Sequence, residues 1–345
     1  MTVKNYDAED EITDFFKKTT ATRAECDEYA KKHAGGNVTP VPVQGVSSYT
    51  VYAGPRSEFV VQFRLKCLLL KMETMKLANT IYGKLTPQVN FKGEMSEASG
   101  DKEPLFIYIM NRLPGVSPLD FLGAHNWGAS EPEFFGYRKT LMLDIARFFI
   151  ACWKAPQDVH QVYRTKLRNR YEDDLKLLLT SLPGRFSPLI QAVLESMSEI
   201  FSLPMALLHQ DFGEFNILVD ETTYSLLGVI DWAEAEILPF GLNLFHHQRM
   251  ISKIHITQGW SRYDDYRSLE EIFWNTFQKE TGVSDKTISI IKMARIMGVF
   301  LMVGFTPRLA DQPEPVPIRD DESGAYKMRD LDGLLINPAT RFLEL

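Results

Sequence analysis

The chain has 345 residues, with 38 basic against 45 acidic side chains and a net charge of −7. Hydrophobic residues make up 45% and charged ones 24%, a composition that builds a core and excludes disorder over most of the length. The acidic balance argues against a nucleic-acid binder, which needs a basic face, and favours neutral or amine-bearing small molecules.

Three widely spaced cysteines, Cys26, Cys67 and Cys152, form neither a disulfide framework nor a zinc site. The first ten residues are polar and acidic where a secretory leader would be apolar. The longest apolar run, Ile296 to Phe305, is half of the about 20 residues a membrane helix needs. The expectation is a cytoplasmic protein with no membrane or nucleic-acid partner.

Residues 1–36 are charged and helix-like and end at Gly35-Gly36, which reads as an accessory helical segment. Val41, Val43 and Ser48–Tyr52 alternate as a strand. Gly54–Ser57 reads as a turn and Phe59–Arg64 as the second arm of a hairpin. Leu68, Leu69, Met72, Met75, Leu77 and Ile81 recur at helical spacing, with Gly83 as the stop. Thr86–Phe91 and Leu105–Met110 are two further strand candidates, separated by a polar loop. After Leu113-Pro114-Gly115 the pattern turns helical to about residue 200, with Phe134–Trp153 as its strongest helix. The basic stretch Arg164–Arg170 reads as a solvated helix face rather than an anion site. Two short strands, Asn216–Val219 and Leu226–Ile230, follow. Helices are expected from 241 to 305, and residues 331–338 are expected to pack back on the body. The pattern gives an α+β chain: a small antiparallel sheet lobe with one helix at 37–113, then a larger, mainly helical lobe at 114–345.

The chemistry concentrates in His209-Gln-Asp211-Phe-Gly-Glu-Phe-Asn216, followed fifteen residues later by Asp231. H-x-D-x4-N puts an acid and an amide on one loop. By chance it arises in on the order of 1 in 70 chains of this length. The acid can orient a hydroxyl and take its proton, while the amide oxygen can hold a metal ion. Asp231 ends an apolar strand, where it can ligate Mg²⁺ on the terminal phosphates of a nucleotide. Phosphoryl transfer needs such positioning more than covalent help.

This motif resembles the aminoglycoside phosphotransferase and choline kinase-like family, and most closely its fungal members. Phe59–Arg64, Leu70–Glu73, Ile81–Gly83, Arg112–Gly115, Pro239–Leu244 and Leu331–Pro338 repeat the look of that family, so the resemblance runs from about residue 40 to the C-terminus. It implies a bilobal protein-kinase-like fold and an ATP- and Mg²⁺-dependent transfer to a small-molecule hydroxyl. By it, Asp211 would be the catalytic base, and Asn216 and Asp231 the metal ligands. His209 would brace the loop. The segment Tyr108–Leu113, with Met110 and Arg112, would meet the adenine. The sequence departs from the family twice. Gln62 stands where a phosphate-holding lysine or arginine belongs, so Arg64, paired with Glu73, is expected to take that role. The phosphate-covering loop has the single Gly45, and Ser47 and Ser48 would supply its polar contacts. Trp232, Phe240 and Trp260 are candidates for an acceptor pocket, although a core position is the default for large aromatics. His246-His247 reads as surface or cap. Gly213 stands where protein kinases place lysine, and no D-F-G or A-P-E follows, which argues against a protein substrate. A pseudokinase-like regulator that binds a nucleotide or metabolite is the rival reading.

Overall fold

Asp7 and Thr22 set where the first two helices begin. In the computed structural model, which describes residues 6–125, 134–255, 257–306 and 314–345, Asp7 accepts from Glu9 N at the start of α1 (Ala8–Phe16). Thr22 and Glu25 close a reciprocal capping box on α2 (Arg23–Ala34), satisfying donors that the first turn leaves unpaired. Gly35 ends α2 in the left-handed region at φ +77°, which costs glycine nothing.

The chain then builds β1 (Thr39–Pro40), β2 (Ser48–Ala53) and β3 (Phe59–Leu65), followed by α3 (Met72–Tyr82), β4 (Val89–Met95) and β5 (Leu105–Asn111). They form one antiparallel sheet in the order β1-β2-β3-β5-β4. Strand alternation sorts its two faces. Tyr49 and Val51, Val61 and Phe63, and Leu105 and Ile107 point into one buried cluster with Ile12, Phe15, Cys26 and Ala30 of the two helices. Ile12, Phe15, Ala21, Cys26 and Ala30 supply five of the fourteen buried residues of this cluster. The other face carries Ser48, Thr50, Gln62, Arg64 and Tyr108, aligned by register Ser48↔Arg64 and Thr50↔Gln62↔Tyr108.

Two boundaries differ from expectation. Val41 and Val43 lie outside a strand, and Val43 is 66% exposed. Gln44 explains this: its amide caps Val41 O and Thr50 O and accepts from Thr50 N, which replaces strand pairing with a side-chain-held loop. Leu68 and Leu69 are also outside the helix. Residues Lys66–Leu68 make a separate 3₁₀ turn, and α3 starts only at Met72.

The chain divides into residues 1–115 with 227–233, and residues 116–226 with 234–345. The second unit holds α4 (Pro118–His125), α5 (Phe134–Trp153), α6 (Gln161–Ser181) and α7 (Ser187–Ile200). They are followed by β6 (Met205–Leu208), β7 (Ile217–Val219) and β8 (Leu226–Val229), the last of which straddles the division, and then β9 (Glu236–Pro239). β6 pairs antiparallel with β9, Met205 opposite Pro239 and Leu208 opposite Glu236. The sequence reading missed this pair because four-residue buried strands show no period. Residues 241–305 are not helical throughout. A 3₁₀ segment, Leu244–Ile251, leads into a hairpin of β10 (Ser252–His255) and β11 (Gly259–Arg262) before α8 (Tyr266–Thr281) and α9 (Asp285–Val303). Last come α10 (Ala325–Leu331) and the wide turn Asp332–Ile336, whose Leu334 and Leu335 are buried. The acidic, proline-rich run that begins at Asp311 lies partly outside the described residues. The chain is α+β, and no helix among the described residues is long and apolar enough to cross a membrane.

Candidate active site

The loop 209–216 hangs between two buried anchors. Phe212, fully buried, stacks on Phe148 at 5.1 Å and packs against Phe149 at 5.4 Å. Ile217 is fully buried at the start of β7. Asp211, directly ahead of Phe212, stays exposed. His209 is 1% exposed, and its Nδ1 accepts from Asp211 N at 3.2 Å. His209 O in turn accepts from Asn243 Nδ2 at 3.1 Å. His209 thus braces the loop from beneath, with its ring nitrogen engaged by backbone.

Asn216 closes the loop on itself. Its Nδ2 donates to both Asp211 Oδ2 and Asp211 O, each at 2.8 Å. Asn216 N and Ile217 N both donate to Gly213 O. Because the amide nitrogen faces Asp211, Asn216 Oδ1 faces away from it, leaving a hard oxygen of the kind magnesium prefers. Glu214, also on the loop, lies 3.8 Å from Arg249, which is 3.9 Å from Asp330. Burial pushes the Asp330 carboxyl above the ordinary aspartate range, and its Oδ1 accepts from Trp260 Nε1 at 2.9 Å.

Asp231 belongs to the other unit. It is exposed, and its backbone lies in the left-handed region at φ +59°. Among the described residues its carboxylate accepts no hydrogen bond. The strained position is enforced by its neighbours: Val229 and Trp232 are buried, Trp232 Nε1 donates to Val229 O at 2.9 Å, and the indole packs on Tyr82 at 4.9 Å. A non-glycine residue held there signals that the surroundings, not local preference, dictate the backbone.

On the other face of the sheet, where Ser48, Thr50 and Arg64 are buried, a polar chain joins two of the expected phosphate contacts. Ser48 Oγ lies 3.2 Å from Thr50 Oγ1, which accepts from Gln62 Nε2 at 3.3 Å. Gln62 Oε1 accepts from Arg64 Nη1 at 3.1 Å. Gln62 and Arg64 therefore lie in one row, and the sequence reading did not foresee Thr50 between Ser48 and Gln62. Arg64 Nε donates to Leu68 O at 2.7 Å. The expected Arg64–Glu73 ion pair is not formed, and Glu73 is exposed on the first turn of α3. The late start of α3 is the reason: Leu68 O is released from helical bonding and takes the guanidinium. Ser47 sits at the end of the Gln44-held loop, half-buried. Met110 pairs across to Val60 and Val89. Arg112 N donates to Glu58 O at 2.8 Å, and its guanidinium lies 3.8 Å above the Tyr52 ring.

The three aromatic candidates take the core position that is the default for large rings, and the surface expectation for His246-His247 is corrected. Trp232, Phe240 and Trp260 are 2%, 0% and 8% exposed and belong to cores. Phe240 packs between Trp153 and Phe277. His246 and His247 are buried as well. Burial pushes the His246 imidazole down to about 3, so it is neutral at physiological pH. His247 Nε2 lies 2.5 Å from Glu270 Oε1. Glu270 in turn faces Arg295, which is fully buried between Glu270 at 3.1 Å and Glu344 at 2.5 Å.

No protein-family profile matches the chain, and no curated protein matches it. Solved structures do. The chain is similar to a putative aminoglycoside phosphotransferase from Ralstonia eutropha, at 15% identity and TM-score 0.49, over 81% of this chain and 88% of that one. It is similar to an aminoglycoside phosphotransferase in complex with GDP and kanamycin, at 12% identity and TM-score 0.47, over 81% and 90%. A macrolide 2'-phosphotransferase from Brachybacterium faecium is similar at 13% identity and TM-score 0.46, over 81% and 91%.

Proposed function

We propose that the chain is an ATP- and Mg²⁺-dependent phosphotransferase acting on a hydroxyl of a small molecule. The observation that carries this reading is the Asn216–Asp211 clasp. One amide nitrogen fixes the carboxylate through Oδ2, while the amide oxygen stays available to a cation. In this reading Asp211 Oδ1 orients the acceptor hydroxyl and receives its proton as the hydroxyl oxygen bonds to the γ-phosphorus. The bond to the bridging oxygen breaks, and ADP leaves. Asn216 Oδ1 and the Asp231 carboxylate would hold Mg²⁺, which supplies charge neutralisation on the β- and γ-phosphate oxygens. Arg64, oriented by Gln62 and the Leu68 carbonyl, would meet the α- and β-phosphates, with Ser47 and Ser48 covering them. Met110 and Arg112 flank the strand end expected to meet the adenine. The net charge of −7 favours an amine-bearing acceptor.

The test has two arms. Saturating Mg·ATP should raise the stability of the wild type by about 2.7 kcal/mol at a hundred times the dissociation constant, and Asp231→Asn should abolish that rise. Asp211→Ala should keep the rise and lose γ-phosphate transfer to an acceptor panel followed by mass spectrometry. Undiminished turnover in Asp211→Ala would sink the assignment of the base. The absent Arg64–Glu73 pair favours one rival, a pseudokinase-like regulator. It requires Mg·ATP binding with no transfer to any acceptor by the wild type.

A further inference from the structure

The basic stretch on α6 is not a uniformly solvated face. Lys166 and Arg170 are exposed, but Arg164 and Arg168, one helical turn apart, are only partly so. They line a polar groove of about 500 Å³ between α6 and α7, together with Thr165, Asn169, Ser198 and Ser202. Arg164 Nη1 donates to Phe201 O at 2.6 Å, and Arg168 Nη2 donates to Ser198 Oγ at 3.0 Å. These are neutral acceptors, and among the described residues neither guanidinium has a carboxylate within ion-pair distance. The acid on the groove, Glu172, bonds Lys176 at 2.7 Å, and Glu199 at the end of α7 pairs with Lys286 at 3.1 Å. Each arginine thus keeps most of its five N–H donors in a chain whose acids outnumber its bases.

From this geometry we infer that the α6–α7 groove is a binding site for a small phosphate-bearing ligand, either free phosphate or a phosphate monoester. Planar guanidinium forks suit a tetrahedral oxyanion because each can donate two parallel bonds to it. The hydroxyls of Thr165 and Ser198 and the amide of Asn169 can take the remaining oxygens, while Ser202 Oγ donates to Glu199 O at 2.7 Å. The groove volume falls within the about 300–1,000 Å³ typical of small-molecule sites. None of these residues belongs to the loop 209–216 or to the proposed nucleotide contacts, so the inference stands apart from the phosphotransfer reading.

Calorimetric titration of the intact chain with inorganic phosphate, and separately with glycerol 2-phosphate, at constant ionic strength held by chloride, tests it. The wild type and the exposed-face control Lys166→Gln should bind alike. Arg168→Gln should weaken binding by about tenfold or more, as expected for loss of a charge-assisted bidentate contact. Thr165→Glu, at an exposed helix position that tolerates the change, should abolish binding by placing a carboxylate in the groove. Asp231→Asn should leave it unchanged, which separates this site from the nucleotide site. Tighter binding of the ester identifies a phosphorylated metabolite as the ligand, and binding of phosphate alone identifies the free ion. Binding that survives both groove variants, or falls equally in Lys166→Gln, overturns the inference, as does a wild type that binds neither probe.

Discussion

Asp231 carries both the strained backbone and the proposed metal-holding role, and replacing it separates the two. At φ +59° an L-residue carries a penalty of about 1–2 kcal/mol, less for aspartate than for most. Glycine carries none there, but its freer unfolded chain costs about 0.5–1 kcal/mol. The side chain is exposed and accepts no hydrogen bond among the described residues, so packing does not enter the comparison. Asp231→Gly is therefore expected to be about 0–1 kcal/mol more stable than wild type. Asp231→Ala, which keeps the strain and loses aspartate's tolerance of it, should be less stable than wild type by about 0.5–1 kcal/mol. At about 2–4 °C per kcal/mol, thermal denaturation in nucleotide-free buffer resolves the order Gly, Asp, Ala. Both variants should lose the Mg²⁺-dependent stabilisation by ATP. A glycine variant melting below the alanine variant refutes the strain argument. A glycine variant still stabilised by Mg·ATP refutes the metal role.

Phe212→Ala should cost about 3–5 kcal/mol, since it empties a fully buried aromatic site against Phe148 and Phe149. Urea unfolding reads the loss. Glu270→Gln leaves Arg295 fully buried with Glu344 as its remaining acid and should lower stability by about 3 kcal/mol, read by the denaturation midpoint; a change under 1 kcal/mol would show that the charge is compensated elsewhere. The same group sets a pH dependence. Arg295 and His247 hold the Glu270 carboxyl well below the usual carboxylate range, so its contribution is full above the unfolded value near 4.5 and is lost as pH falls towards the folded value. Wild type should therefore lose more stability below pH 4.5 than Glu270→Gln does. Gly298→Ala would place a Cβ 1.7 Å from Leu242 O, which forces α9 off the segment that carries Asn243. Loss of the folded circular-dichroism spectrum or a large drop in melting temperature is the expected result.

Much of the fold was legible in the sequence because its signals are local. Gly35-Gly36 closes the helix-like N-terminal segment, alternation marks β2, β3 and β5, and helical spacing marks Phe134–Trp153, whose bounds are those of α5. The loop motif was legible for the same reason: Asp211 and Asn216 are five residues apart, and their spacing alone makes the clasp possible. What the sequence could not carry is whatever depends on contacts distant in the chain. Whether Leu68 begins a helix depends on Arg64 capturing its carbonyl. The burial of His247 depends on Glu270 and Phe273 arriving from α8, with Arg295 of α9 against Glu270. The left-handed turn at Asp231 is held by the packing of Trp232 on Tyr82, 150 residues earlier in the chain. The groove arginines likewise differ from Lys166 only because α7 lies alongside one face of α6. Periodicity determines which residues share a face; tertiary packing alone decides which face is covered, and by what.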